Sequence, residues 1–322
     1  MIRPILTGLF ACLLGGAASA QTTTWPERSV RLIVPFPAGS ATDIAMRLIE
    51  TALTPRLGHP VVIDNRSGAS GSIGVDAVAK AAPDGYTTGL VTVSTHAVAP
   101  GLGKKLPYDP TSDFTPVGMV GSTPYVLVTY PGLGAKNVKD LVAIAKAKPG
   151  TLNYGSAGPA SMAHLAAALL ATQTGISIVH VPYRSSAHAV TDIIAGRIQM
   201  QFATIPPSLE LITTQRLSAV AVSGARRSSA LPGVPTVAEQ GLPGFEATLW
   251  MALVLPAKTP PEIAQKFNAA LNAVLQEPKI RSALLVQGLE PEPGTPEALT
   301  ARIAVEAGKW RDVIAKAGIK VD

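Results

Sequence analysis

The chain has 322 residues, 47% of them hydrophobic and 15% charged, with a single cysteine and a formal net charge of +6. That balance describes a well-buried α/β chain of two-domain length and excludes a disordered one. Its basic residues are scattered, with Lys104-Lys105 and Arg226-Arg227 the only doublets, so it carries no nucleic-acid-binding stripe.

In chain order, a weakly basic start precedes a small, apolar run over 5–18 and the cleavage pattern Ala18-Ser19-Ala20. Residues 1–20 are therefore expected to be a secretory signal peptide, too short to span a bilayer, and the mature chain to begin near Gln21. Cys12 lies inside that leader in a poor lipoprotein context. The exported product would then lack thiols, and with them any disulfide, cysteine-ligated metal or cysteine nucleophile.

Val30, Leu32, Ile33 and Val34 read as a buried parallel strand, stopped by Pro35 and Pro37. Gly39 permits a tight turn, and Ser40 with Asp43 three residues on is a capping-box pattern opening a helix through Ile44, Leu48 and Ile49. Strand, glycine turn and helix start leave backbone N–H groups free, which makes an anion site. One such turn alone is equally an ordinary βα connection whose serine caps its helix.

Strands follow at 60–64 and 86–93, with a Gly/Ser turn at 65–71 and a helix over 72–81 between them. Ser94, Thr95 and His96 sit at the end of the third strand. Parallel order puts all these turns on one edge, where open α/β sheets bind ligands. Residues 101–116 read as loop, and 117–130 as an extended run long enough to pass from one domain into another. A second alternation follows, with helices at 138–148, 161–173, 187–195 and 208–213 and strands at 152–154, 176–181, 198–202 and 217–222. A second extended run over 245–255 mirrors the first. Helices over 260–276, 279–287 and 296–317, with proline starts, are expected to return and cover the first domain. The fold class is therefore α/β, with two Rossmann-like domains joined by a two-strand hinge in a clamshell. The boundaries expected are 21–122 with 251–322 for one domain and 123–250 for the other.

Residues 153–164 repeat the opening architecture. A strand ends near Tyr154, Gly155 and Gly158 turn the chain, and Ser156, Ala157 and Ser161 lie at a second helix start. Two such starts could grip a carboxylate at one or both ends. His164, one turn inside, either donates to the ligand or packs and caps. Arg184 either binds a carboxylate bidentately or is a solvated surface side chain. Tyr183 either stacks on a ligand or fills core. The strand end at 201–204 carries no charge.

These motifs, in this order, resemble the extracytoplasmic solute-binding proteins of tripartite tricarboxylate transporters, the Bug or TctC type. The resemblance rests on Trp25-Pro26, on Val34-Pro35-Phe36 through Asp43 and on Asn65-Arg66. It continues through Ala81-Ala82-Pro83-Asp84-Gly85-Tyr86, Lys105-Leu106-Pro107-Tyr108-Asp109, Leu152-Asn153-Tyr154-Gly155-Ser156 and His180-Val181-Pro182-Tyr183. Pro235-Thr236-Val237-Ala238-Glu239 and Leu242-Pro243-Gly244-Phe245-Glu246 complete it, so it spans essentially the whole mature chain. The resemblance implies a periplasmic protein that holds a small carboxylate, aliphatic or aromatic, at the first βα turn and delivers it to membrane permease subunits. The ligand loops it implies fall on Phe36, Pro37, Ala38, Gly39 and Ser40 with Asp43, and on Ser94, Thr95 and His96. In the second half they fall on Ser156, Ala157, Gly158 and Ser161 with His164, and on Tyr183, Arg184 and Ser185. The chain departs from the family at Ser40, where a second glycine is usual, and at Arg184-Ser185, where Lys-Gly is common. Ala203 stands where an aspartate is common. That loss removes a partner for a ligand ammonium and favours a pure carboxylic acid over an amino acid.

The competing readings are a secreted Ser/His hydrolase and a binding protein that feeds a membrane sensor. The chain has no G-x-S-x-G elbow, no H-E-x-x-H spacing and no G-x-G-x-x-G after a strand, so no enzyme, metal or cofactor is expected. A monomer is expected.

Overall fold

The computed structural model describes residues 25–103 and 105–320. The expected leader, its cleavage site and Cys12 lie outside them.

Strands β1 (Val30–Val34), β2 (Val61–Asn65) and β3 (Thr87–Thr92) are parallel, with β1 between the other two. Helices α1 (Ala41–Leu57) and α2 (Ser72–Ala79) make the crossovers. The long run expected over 117–130 is β4 (Phe114–Thr129). In the second half, β5 (Leu152–Ser156), β6 (Ile178–Pro182) and β7 (Met200–Thr204) are again parallel. Helices α3 (Val138–Ala147), α4 (Met162–Thr174), α5 (Ser186–Ile194) and α6 (Ile205–Thr213) alternate with them, ahead of β8 (Ser218–Val222). Strand β9 (Thr248–Pro256) returns the chain, followed by α7 (Pro261–Gln276), α8 (Pro278–Val286), β10 (Glu290–Pro291) and α9 (Pro296–Lys316).

The strands form one curled sheet in the order β2-β1-β3-β9-β4-β7-β5-β6, with β10 and β8 also on β4. Among the described residues, only β4 belongs to both halves: it pairs with β9 through Pro124 and with β7 from Tyr125. Its central residues are buried on both faces, as a shared strand requires. Register fixes where the two halves meet. Thr92, at the end of β3, is level with Met251, which is level with Gly121. In the other half Tyr154 is level with Met200, and Thr204 with Tyr125. The carboxyl edges of both parallel sheets therefore converge on residues 121–127 of β4.

The second crossing differs from the expected continuous strand over 245–255. Strand β9 pairs only with β3 and β4 of the first half. The passage is made by 245–247, where Ala247 N–H donates to Ser223 O (2.9 Å) and Phe245 stacks on Phe202. Helix α9 also departs from expectation. While α7 and α8 pack on α1, α9 lies against β4, the turn after β3 and α4 of the second half. Its Arg302 and Lys309, seven residues apart on one face, both hold Glu246 of the crossing, at 2.7 Å to Oε1 and 2.9 Å to the carbonyl. The C-terminal helix thus ties the two halves together instead of covering one.

Candidate functional site

The opening turn folds as its sequence directs. Ser40 is the N-cap of α1, and its Oγ accepts from Asp43 N–H at 3.3 Å. The Asp43 carboxylate turns back and accepts from Gly39 N–H, Arg47 Nε and Asn65 Nδ2, each at 2.9 Å. Asn65 also donates to Phe36 O at 3.1 Å. Gly39 has φ +79°, a conformation that favours glycine. Burial pushes the Asp43 carboxyl upward, but Arg47, Gly39 N–H and Asn65 outweigh it and hold its pKa below the ordinary carboxylate value. Asp43 thereby positions the turn through Gly39, Arg47 and Asn65. Pro37, Ala38 and Gly39 are exposed, with Phe36 and Ser40 half-buried. Ala41 and Thr42 sit in the first turn of α1, where amides lack intrahelical acceptors.

The stretch at 94–96 follows the third strand, as expected, but as a helical turn. Residues Ser94–Val98 form a π-helical turn in which Thr95 and His96 are buried. Thr95 Oγ1 bonds with Thr92 N–H and O and with His96 Nδ1, all at 3.1 Å. The His96 ring packs against Tyr108 and Phe114, and burial pushes its pKa down to about 3. The Thr95 hydroxyl is thus engaged by Thr92 and His96, and the His96 ring by Tyr108 and Phe114, while Ser94 stays half-buried at the edge.

In the second half, Ser161 is the N-cap of α4: its Oγ accepts from His164 N–H (3.4 Å) and donates to Gly158 O (2.8 Å). His164 Nδ1 accepts from Ala160 N–H at 3.1 Å, which puts its proton on Nε2. Its ring stacks on His180 with centroids 3.8 Å apart, beside Tyr154. Burial, then the neighbouring His180, pushes the His164 pKa down to about 4; burial also lowers that of His180. Both rings are neutral at neutral pH.

Sequence reasoning missed His180, whose Nε2 lies 2.6 Å from Ser156 Oγ. A strand-end histidine level with Tyr154 was the available signal. Ser156 is fully buried, and its hydroxyl is also bonded to Gly158 O and N–H. No carboxylate orients His180 among the described residues.

Beyond β6, Tyr183 OH donates to Asp192 Oδ2 (2.8 Å), so its hydroxyl is committed to α5 and not to a ligand. Ser185 Oγ bonds with His188 Nδ1 (2.8 Å). Arg184 is exposed and has no acceptor among the described residues. Ala203 is fully buried in a cluster with Val126, Ala189 and Val222, so it faces core and presents nothing to a ligand. The candidate groups not committed to core are the 36–42 turn with Ser40, Ser94, the 157–163 turn and Arg184. All of them stand at the carboxyl edges that converge on β4.

Two α/β lobes sharing a strand, with a serine-capped helix start at the carboxyl edge of each sheet, are the fold of a solute-binding protein of the clamshell kind. Residues 45–319 match the model for the tripartite tricarboxylate transporter family receptor, and the chain belongs to that family. Protein BugT of Bordetella pertussis is 39% identical over 98% of this chain and 97% of its own. Among solved structures, R. palustris Rpa4515 with adipate is 36% identical, with TM-score 0.74 over 92% of this chain and 99% of that one. MatC from Rhodopseudomonas palustris with bound malate is 31% identical, with TM-score 0.70 over 90% of this chain and 100% of that one.

Proposed function

We propose that the protein captures a small carboxylate between its lobes in the periplasm and delivers it, as a monomer, to the membrane subunits of a tripartite transporter, without catalysing a reaction. The lobes we assign are 21–122 with 251–322, and 123–250. One observation carries this reading: two serine-capped helix starts, at Ser40 and Ser161, stand at the sheet edges that register brings together on β4. Free amides at such starts, reinforced by the helix dipole, suit a carboxylate. His164, neutral with Nε2–H as its donor, adds a hydrogen bond without a charge, and Arg184 supplies the one that closes on a second carboxylate or the far end of an acid. The adipate and malate seen in relatives support a dicarboxylate of four to six carbons as the first class to test.

The test is a thermal-shift screen against mono-, di- and tricarboxylates, aromatic acids, amino acids and sugars, followed by titration of the best binder. A ligand of the folded state raises the melting point as its concentration passes its Kd. Ser40→Ala and Arg184→Ala should each weaken carboxylate binding by about tenfold, with the unliganded melting point unchanged for Arg184→Ala. Unchanged affinity in both variants would place the anion elsewhere, and tight binding of an amino acid with no binding of simple acids would overturn the ligand class.

A further inference from the structure

A cavity of about 870 Å³ opens beside β4, lined by β10, the loop after β8, and Arg281 of α8 and Arg302 of α9. Strands β10 and β9 bond opposite edges of β4 at Gly121 and Ser122, as β8 and β7 do at Val126 and Leu127. Glu290 of β10 accepts from Ser228 Oγ (3.2 Å) and from Ser229 N–H and Oγ (3.0 Å each), so β10 and the loop after β8 share one flank. None of the candidate ligand residues at the ends of β1, β3, β5 and β6 lines this cavity.

Its lining carries four arginines and three glutamates, but they do not pair one to one. Arg302 is held by two carboxylates, Glu246 (2.7 Å) and Glu292 (3.1 Å), which leaves one negative charge in excess there, while its buried Nε has no acceptor. Arg227 is held by Glu239 (3.0 Å) and Pro232 O, and Glu290 already takes neutral donors. Arg226 and Arg281 are exposed to the cavity and have no carboxylate partner among the described residues. They come from different halves of the molecule, Arg226 from the loop after β8 and Arg281 from α8. Two unpaired guanidiniums at one cavity are matched by a ligand with anionic groups at separated positions, each taken bidentately. The volume falls in the range of small-molecule sites and exceeds that of one phosphate or sulfate ion.

We propose that this hinge cavity binds a small soluble polyanion that bridges Arg226 and Arg281. Such a ligand joins the two halves on the flank where Glu290 and Arg302 already tie them. It therefore alters the balance between lobe arrangements, and coupling to the cleft is reciprocal.

Inorganic pyrophosphate is the probe, titrated by calorimetry and thermal shift at constant ionic strength, with potassium chloride as the screening control. One saturable site is expected below about 10 mM, with a rise in melting point that chloride does not reproduce. Arg226→Ala with Arg281→Ala should raise the apparent Kd by about tenfold or more, and Arg226→Glu should abolish binding. Both arginines are exposed and unbonded, so these variants keep the fold. Ser40→Ala with Arg184→Ala should leave the pyrophosphate titration unchanged, which separates this site from the cleft. No saturable binding in the wild type, or equal binding in the double arginine variant, overturns the proposal. Loss of pyrophosphate binding in the cleft variant instead would assign the anion to the cleft and overturn it as well.

Discussion

Buried neutral histidines give this protein an acid limb of stability well above the carboxylate range. His96, pushed down to about 3, and His164, pushed down to about 4, stay neutral in the folded chain at pH 5. In the unfolded chain each titrates near 6.5, so the unfolded state binds these protons first, and stability is lost as pH falls below about 6.5 until the folded values are reached. Between pH 7 and pH 5 the loss is about 2 kcal/mol for each ring, hence about 4 kcal/mol for the pair. His180 adds to it in the same direction. Carboxylates contribute little in this window, because their unfolded values lie near 4. His96→Phe isolates one share. Its ring sits against Tyr108 and Phe114 and its Nε2 has no partner, so phenylalanine suits the pocket. Urea-unfolding curves at pH 7 and pH 5 should show the variant losing about 2 kcal/mol less than wild type over that interval. Equal losses in the two proteins would refute the assignment of His96 as a buried neutral ring.

Asp43→Asn keeps the shape but removes the charge that holds Gly39 N–H, Arg47 and Asn65. Thermal unfolding should report a loss of about 1–3 kcal/mol, and titration should report weaker carboxylate binding as the turn loosens. Gly121→Ala would set a Cβ 2.4 Å from the backbone oxygen of Glu290, where no side chain can yield. Denaturation should show a cost of about 1–3 kcal/mol as β10 parts from β4. Ser156→Ala should not change the rate of p-nitrophenyl acetate hydrolysis, which should equal buffer in both proteins. Turnover that the variant abolishes would make Ser156 and His180 catalytic.

Most elements were legible because proline and glycine punctuate this chain and the strands are short, apolar and β-branched. Strand β10 was not, being two residues long and half proline. The bridging role of α9 was hidden because Arg302 and Lys309 read as ordinary helix-face cations until Glu246 is placed beside them. At the site, the Ser40 cap and the Ser161 cap follow from local spacing alone. The commitments of Thr95, His96, Tyr183 and Ala203 do not, since Tyr108, Phe114, Asp192 and Val126 decide them through the fold. A residue at a strand exit is offered to the cleft by position, yet whether it arrives depends on partners no local pattern reveals.

The surviving site is also less charged than its sequence implied, and this bears on delivery. Arg47 is spent on Asp43, both histidines at the second turn are neutral, and Ser156 and Ser161 give their hydroxyls to the loop itself. On the proposed reading, an acid would then be met mainly by backbone amides and the Nε2–H of His164, each contributing modestly against its hydration. Arg184 is the exception, and it stands on the second lobe, so its full contribution arises only when the lobes close. That arrangement makes affinity depend on closure more than on the first turn alone. On the proposed reading, a carboxylate would be gathered by one lobe, held by both, and released when a partner opens them.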